Sequence, residues 1–139
     1  MQLIYLATVF FVSFSVFATQ VQYRVNAKVR RGNQIQMITE FVNVDLNQTD
    51  HKIAFKKLQG VELNLSAKKI MKYKKDSDEQ FATGEIGLRG SITETNGPRL
   101  NVVNFPERKT VLGKSATLSV TDQKGQQLEF KLTPVRYIQ

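Results

Sequence analysis

The chain has 139 residues, no cysteine and a formal net charge of +8, from 20 basic and 12 acidic residues. This length fits one domain. The missing cysteine excludes disulfides, thiolate nucleophiles, cysteine-ligated zinc or iron, and lipid attachment to a cysteine after a signal sequence.

The first 18 residues are apolar and have the character of an export signal. No charged residue precedes Arg24, and the stretch is shorter than the roughly 20 residues that span a membrane comfortably. Val16 and Ala18 suit a signal peptidase, so we predict cleavage after Ala18 and one domain over residues 19–139, periplasmic or secreted. Because such a domain has no disulfide, a Gram-negative source is favoured. The alternative is an uncleaved N-terminal anchor, since the segment lacks a basic residue.

The first two predicted strands form a hairpin. Residues 21–30 alternate apolar and polar side chains, which predicts a half-buried strand, and Gly32 marks a turn. On the return strand, Ile35, Met37 and Phe41 form the predicted apolar face. Beyond Phe41 the apolar positions shift by one residue, which predicts a β-bulge or a bend.

The middle of the chain predicts three strands with polar connections. These strands cover residues 53–55, 61–71 and 81–92, and the loops and turns cover residues 47–52, 59–60 and 74–79. Residues 96–98 predict a further turn before a strand that Pro106 ends. The clearest hairpin pairs residues 116–120 with 128–132 across a turn at residues 122–125, and Pro134 is expected to stop its pairing.

These patterns predict the fold class. Seven to nine short strands, no helical periodicity and no internal repeat favour an all-β fold. The expected architecture is a single antiparallel β-sandwich or barrel-like domain.

No pattern of catalytic or metal-binding residues stands out. His51 is the only histidine and is expected in a polar loop, where adjacent Asp50 does not make a triad. Asp76, Asp78 and Glu79 lack the glycine and distal glutamate of a calcium loop. We therefore predict a protein that is not an enzyme and that uses no metal or cofactor, although carboxylate pairs brought together by folding are invisible in a sequence.

Lysines are concentrated in residues 52–75, where eight cations accompany the single acid Glu62. The candidate anion-binding residues are Lys56, Lys57, Lys68, Lys72, Lys74 and Lys75. Lys69 falls on the apolar side of its strand, so it is expected at a bulge or strand end. The alternative for all of them is a solvated face that protects a sheet edge. Nucleic acid is not the expected partner, because few aromatic residues are interleaved with the lysines.

The C-terminal third resembles strand segments of bacterial secretins and related envelope proteins. The similarity covers roughly the last 40 residues and rests on Gly97-Pro98-Arg99-Leu100, on residues 113–120 and on residues 128–134, which end in Thr133-Pro134. It implies an envelope β-domain, with a secretion or pilus system as its setting.

The expected function follows from these observations. We predict a non-catalytic interaction or structural module of the bacterial envelope, which binds another envelope protein through an exposed sheet edge. The alternative is a protein that binds an anionic polymer or a lipid surface through residues 52–75.

Overall fold

Eight strands make up the regular structure of the computed structural model, which describes residues 18–47, 49–55, 58, 60–95, 97–121, 123 and 125–139. No helix occurs in these ranges, so the predicted all-β class is confirmed. The strands are β1 (Gln20–Arg31), β2 (Gln34–Asp45), β3 (His51–Ala54), β4 (Val61–Tyr73), β5 (Gln80–Glu94), β6 (Asn101–Thr110), β7 (Ala116–Thr121) and β8 (Gln127–Ile138).

The strands form two four-stranded antiparallel sheets. Sheet A has the order β2-β1-β8-β7, and sheet B has the order β3-β4-β5-β6. Their inner faces contribute to one hydrophobic core, in which the rings of Phe55 and Phe130 lie 5.5 Å apart. Two sheets around a shared core are consistent with a β-sandwich.

Strict alternation produces the inner face of sheet A. In β1, the side chains of Val21, Tyr23, Val25, Ala27 and Val29 are buried, as their spacing predicts. Each is flanked by polar residues that reach solvent wholly or in part. This alternation fixes the register of β1, because a slip of one residue would turn all five side chains outward.

The apolar face predicted for the first part of β2, with Ile35, Met37 and Phe41, is wrong, and so is the predicted bulge. β1 and β2 pair without interruption from Arg31–Gln34 to Gln20–Asp45. Each β2 residue therefore shares a face with its β1 partner, and the turn places Met37 opposite Lys28 on the outer, polar face. The inner face of β2 receives Ile38 and Val44 instead.

Neither proline ends a strand as predicted. β6 continues through Pro106 to Thr110, which is tolerated because β6 is an edge strand. β8 continues beyond Pro134 to Ile138, with a register shift against β1 beside this proline. The carbonyl of Pro134 accepts a hydrogen bond from the Gly113 amide at 2.9 Å.

The connecting loops are mostly where the polar segments predict them. The loop after β4 is exposed, and the Lys74 amide closes it on the Glu79 carbonyl at 2.8 Å. The predicted loop at residues 47–52 is too long, because His51 already pairs with Leu65 as the first residue of β3. Several predicted turn residues lie outside the described part of the chain, namely Gln59, Asn96, Asp122 and Lys124.

Candidate functional site

Within the described part of the chain, the lysines proposed as an anion site do not converge on one cavity. Lys68 lies on the outer face of sheet B and forms an ion pair with Glu107 at 3.2 Å. Lys74 pairs with Glu79 at 3.0 Å in the loop after β4, while Lys72 and Lys75 are exposed. Lys56 and Lys57 lie outside the described residues.

Lys69 lies beside a bulge, as its position in the apolar pattern predicts. It pairs with Ile86, and the β4–β5 register then shifts before Met71 pairs with Ala82. Gly84, with φ +83, lies in the bulged stretch of β5, where the Thr83 hydroxyl donates to the Ile70 carbonyl at 3.0 Å. Partial burial lowers the pKa of Lys69.

The free edge of β2 is the most prominent exposed apolar feature of sheet A. Among the described strands, β2 pairs only with β1. Ile35, Met37 and Phe41 are 54%, 68% and 58% exposed on its outer face. We call these three side chains, together with the unpaired backbone beside them, the β2 edge.

In β2, the backbone amide and carbonyl of every second residue point toward this free edge. Gly32 has φ +57 in a two-residue turn, and in such a hairpin the flanking pair, here Arg31–Gln34, exchanges both backbone hydrogen bonds. Hydrogen-bonded pairs then alternate with open pairs. The same alternation holds at the other end of the hairpin, where the amide of even-numbered Leu46 donates to the Thr19 carbonyl at 2.9 Å. The amides and carbonyls of the odd-numbered β2 residues therefore point away from β1.

The other three sheet edges are protected against strand addition. β3 has 4 residues and β7 has 6, which makes both short, and β6 is interrupted by Pro106 and a register shift. Natural sheets use short strands, prolines and bulges in this way. β2 has 12 residues, no proline and no register shift, so it lacks these protections.

A row of cations on β1 lies beside the apolar side chains. Arg24 is paired with Phe41, Lys28 with Met37, and Arg30 with Ile35. All six side chains lie on the outer face of sheet A. Cross-strand neighbours on one face touch, and the long cationic stems can pack on the apolar groups. The β2 edge is thus apolar with a basic border.

A second feature is an open groove of about 800 Å³ on the outer face of sheet B. We call it the sheet B groove. Its floor carries short polar side chains of β4 and β5, and its sides carry charged residues of β3, β4 and β6. Lys68 is the one member of the proposed lysine site, among those described, that lines it.

A buried hydrogen-bond chain joins the two sheets. The Tyr23 hydroxyl lies 3.0 Å from Thr110 Oγ1, whose own hydroxyl donates to the Ile86 carbonyl at 3.3 Å. Tyr23 is therefore the donor to Thr110. Burial raises the pKa of Tyr23 to about 12. Burial also raises the pKa of Tyr137, whose hydroxyl donates to the Gly84 carbonyl at 3.3 Å.

Glu94 is a fully buried carboxylate that the sequence pattern did not single out. Its Oε1 accepts a hydrogen bond from Asn101 Nδ2 at 3.3 Å and its Oε2 accepts one from the Gln123 amide at 3.1 Å. These bonds attach the turn between β7 and β8 to the end of sheet B, which gives Glu94 a structural role. The sequence did contain one sign of this burial: Glu94 alternates with the inward-facing Ile92, at a position where an apolar residue is expected.

The residues considered for metal chemistry are dispersed. Asp76, Asp78 and Glu79 lie in the exposed loop after β4, and His51 lies on β3. No group of three or more histidine or acidic residues within the described ranges is placed to hold a metal ion.

Neither a membrane-spanning helix in the described residues nor a known relative indicates a function for this chain. The described residues include no helix that is long and apolar enough to cross a membrane. No family model, no curated protein and no solved structure matches the chain.

Proposed function

We propose that this protein is an exported, non-catalytic interaction module that binds an extended segment of another envelope protein at the β2 edge. The segment adds to sheet A as a fifth strand beside β2. The observation that carries this proposal is the coincidence, on the odd-numbered residues of β2, of outward backbone groups and exposed apolar side chains. Strand addition uses main-chain hydrogen bonds for affinity and alternate side chains for specificity.

The partner segment is expected to be acidic as well as apolar. Three cations, Arg24, Lys28 and Arg30, border the β2 edge. On their other side, β8 places one acidic residue, Glu129, opposite Lys28. The protein as a whole carries +8. A complementary negative segment would be attracted to this face, while a second copy of the chain would bring a like-charged row.

Replacing Met37 by a photo-crosslinking residue tests the site in the native host. We expect one discrete adduct with an envelope protein, because residue 37 would lie beside the added strand. The same replacement at Lys131, which is exposed on the outer face of the internal strand β8, is the control and should give none. Mass spectrometry of the adduct identifies the partner.

The Thr39→Pro variant distinguishes strand addition from simple apolar contact. The Thr39 amide faces the free edge, so proline removes a hydrogen bond to the partner and leaves the β1–β2 ladder intact. We expect the adduct at position 37 to fall about tenfold, the effect of losing about 1.4 kcal/mol. Thr39→Val keeps the amide but loses the hydroxyl bond to Asn26, and should crosslink normally. An adduct unaffected by proline, or a covalent dimer of this chain, would count against the proposal.

Export is the second part of the proposal. We expect the mature protein to begin at Thr19, because Val16 and Ala18 suit the peptidase; β1 begins just beyond, at Gln20. Residues 1–17, which contain most of the proposed signal, lie outside the described ranges. The intact mass of periplasmic protein measures the start, and a full-length chain recovered from membranes would indicate an anchor instead.

The proposal that the protein acts in the bacterial envelope rests on the sequence alone. The similarity of residues 97–134 to secretin strands supports a secretion or pilus system as the place of action. The alternative, polyanion or lipid binding through residues 52–75, has less support, since two of its described lysines are engaged in ion pairs.

A further inference from the structure

The sheet B groove contains chemistry that strand addition at β2 does not use. It spans all four strands of sheet B on the outer face. Its volume, about 800 Å³, lies within the range of roughly 300–1,000 Å³ typical of ligand sites. Such sites are mainly apolar, whereas the floor of this groove is polar.

The floor consists of hydroxyl and amide groups. Asn64 Nδ2 donates to Ser91 Oγ and to Thr93 Oγ1, both at 3.3 Å. The other amide atom, Asn64 Oδ1, is buried and has no hydrogen-bond partner in the described part of the chain. A buried acceptor without a donor is costly, and a ligand hydroxyl would satisfy it once a neighbouring side chain moves aside.

An ion pair closes one end of the groove. Lys68 on β4 and Glu107 on β6 meet above Gly87 of the intervening strand β5. A Cβ at Gly87 would lie 2.8 Å from the Glu107 carboxylate and 3.2 Å from Lys68 Cε. Glycine at this position therefore allows the pair to cross the sheet.

Two further cations remain available to a ligand. Arg89 lies on the groove face of β5, next to the floor, and Lys52 lies on β3 at the side. Neither side chain forms an ion pair with another described residue. Asp50 is the only lining acid, within those same ranges, that is not already in an ion pair. The groove thus has an excess of positive charge above neutral polar groups.

We propose that the sheet B groove binds an anionic oligosaccharide. Sugar hydroxyls match the Ser, Thr and Asn groups of the floor, and a carboxylate or sulfate matches Arg89 and Lys52. Nucleic acid fits less well, because Phe105, the one aromatic residue among the described lining, packs against the core and offers no stacking surface. A concave groove is also a poor match for a flat lipid surface.

Calorimetric titration of the full mature chain with three probes tests the chemical class. Trigalacturonate carries carboxylates, a heparin-derived tetrasaccharide carries sulfates, and maltotriose is neutral. We expect at least one anionic probe to bind at least tenfold more tightly than maltotriose. Binding of only one anionic probe would identify the charged group, and failure of both would overturn the proposal.

Two variants and a matched control locate the binding. Arg89→Gln should weaken the anionic probe about tenfold, and Ser91→Tyr, which fills the floor, should abolish binding. Arg136→Gln makes the same charge change on the exposed end of β8 in sheet A and should have little effect. Equal weakening by both arginine variants, or full binding by Ser91→Tyr with native circular dichroism, would mean that general electrostatics acts instead. Thr39→Pro should bind the probes normally, so the groove and the β2 edge are tested separately.

Discussion

Phe130→Ala is expected to lower the free energy of unfolding by about 3–5 kcal/mol, the usual cost of removing a buried phenylalanine. Phe130 is fully buried on β8, an internal strand of sheet A. Its ring lies 5.5 Å from that of Phe55 at the start of the turn before β4. The substitution therefore removes contacts between the two sheets and leaves a cavity in their shared core. Urea denaturation followed by circular dichroism measures the loss.

Two comparison variants make this result interpretable. Leu118→Ala removes a buried side chain of β7 and should cost about 2–5 kcal/mol. Phe41→Ala removes a side chain of the same kind as Phe130 from the exposed face of β2 and should change stability by less than about 0.5 kcal/mol. A large loss for Phe41 and a small one for Phe130 would reverse the assignment of faces.

Alkaline pH is expected to destabilise the fold through Tyr23. Burial raises its pKa from 10.0 to about 12 in the folded state. A raised folded-state pKa contributes stability that is fully present below the unfolded pKa and is lost as the pH rises through the folded one. The window therefore runs from about pH 10 to 12, and the loss is about 3 kcal/mol for a shift of roughly two units.

The Tyr23→Phe variant isolates this contribution from the titration of the lysines. It removes the hydroxyl, so its stability should fall less between pH 10 and 12 than that of the wild type. Near neutral pH it should lose about 0.5–1.5 kcal/mol, because the bond to Thr110 is absent. Denaturant titrations of both proteins at several pH values give the comparison, and parallel curves would exclude Tyr23 as the cause.

The alternation of apolar and polar side chains predicted the buried face correctly in strands whose two faces differ from each other in polarity. β1, β4, β7 and β8 have that contrast, and their inner faces are buried as expected. In β2, both parities contain apolar residues, so the pattern alone could not select the inner face. The register imposed by the turn at Gly32 decided which face of β2 points inward. The ends of β6 and β8 were predicted wrongly because each strand continues past a proline. In β6 the proline is tolerated at a sheet edge, and in β8 it lies beside a register shift.

The candidate sites were only partly visible in the sequence. An exposed sheet edge was expected, but its location depends on which strands remain unpaired, which is a property of the topology. The lysine-rich segment identified Lys68, yet the groove around it also needs Arg89 from β5 and Glu107 from β6. Residues brought together across three strands leave no common spacing in the chain.

The order of strands in sheet A also has a kinetic consequence. β1 lies between β2 and β8, so the first of the described strands obtains its second neighbour only from the last of them, with register pairs such as Ala27–Phe130. Contacts between such distant parts of a chain make folding slow, typically milliseconds to seconds for β-sandwiches. Until β8 is available, one side of β1 lacks its neighbour and the core cannot close. Sheet A, with β1 at its centre, therefore cannot be completed before β8 has been synthesised.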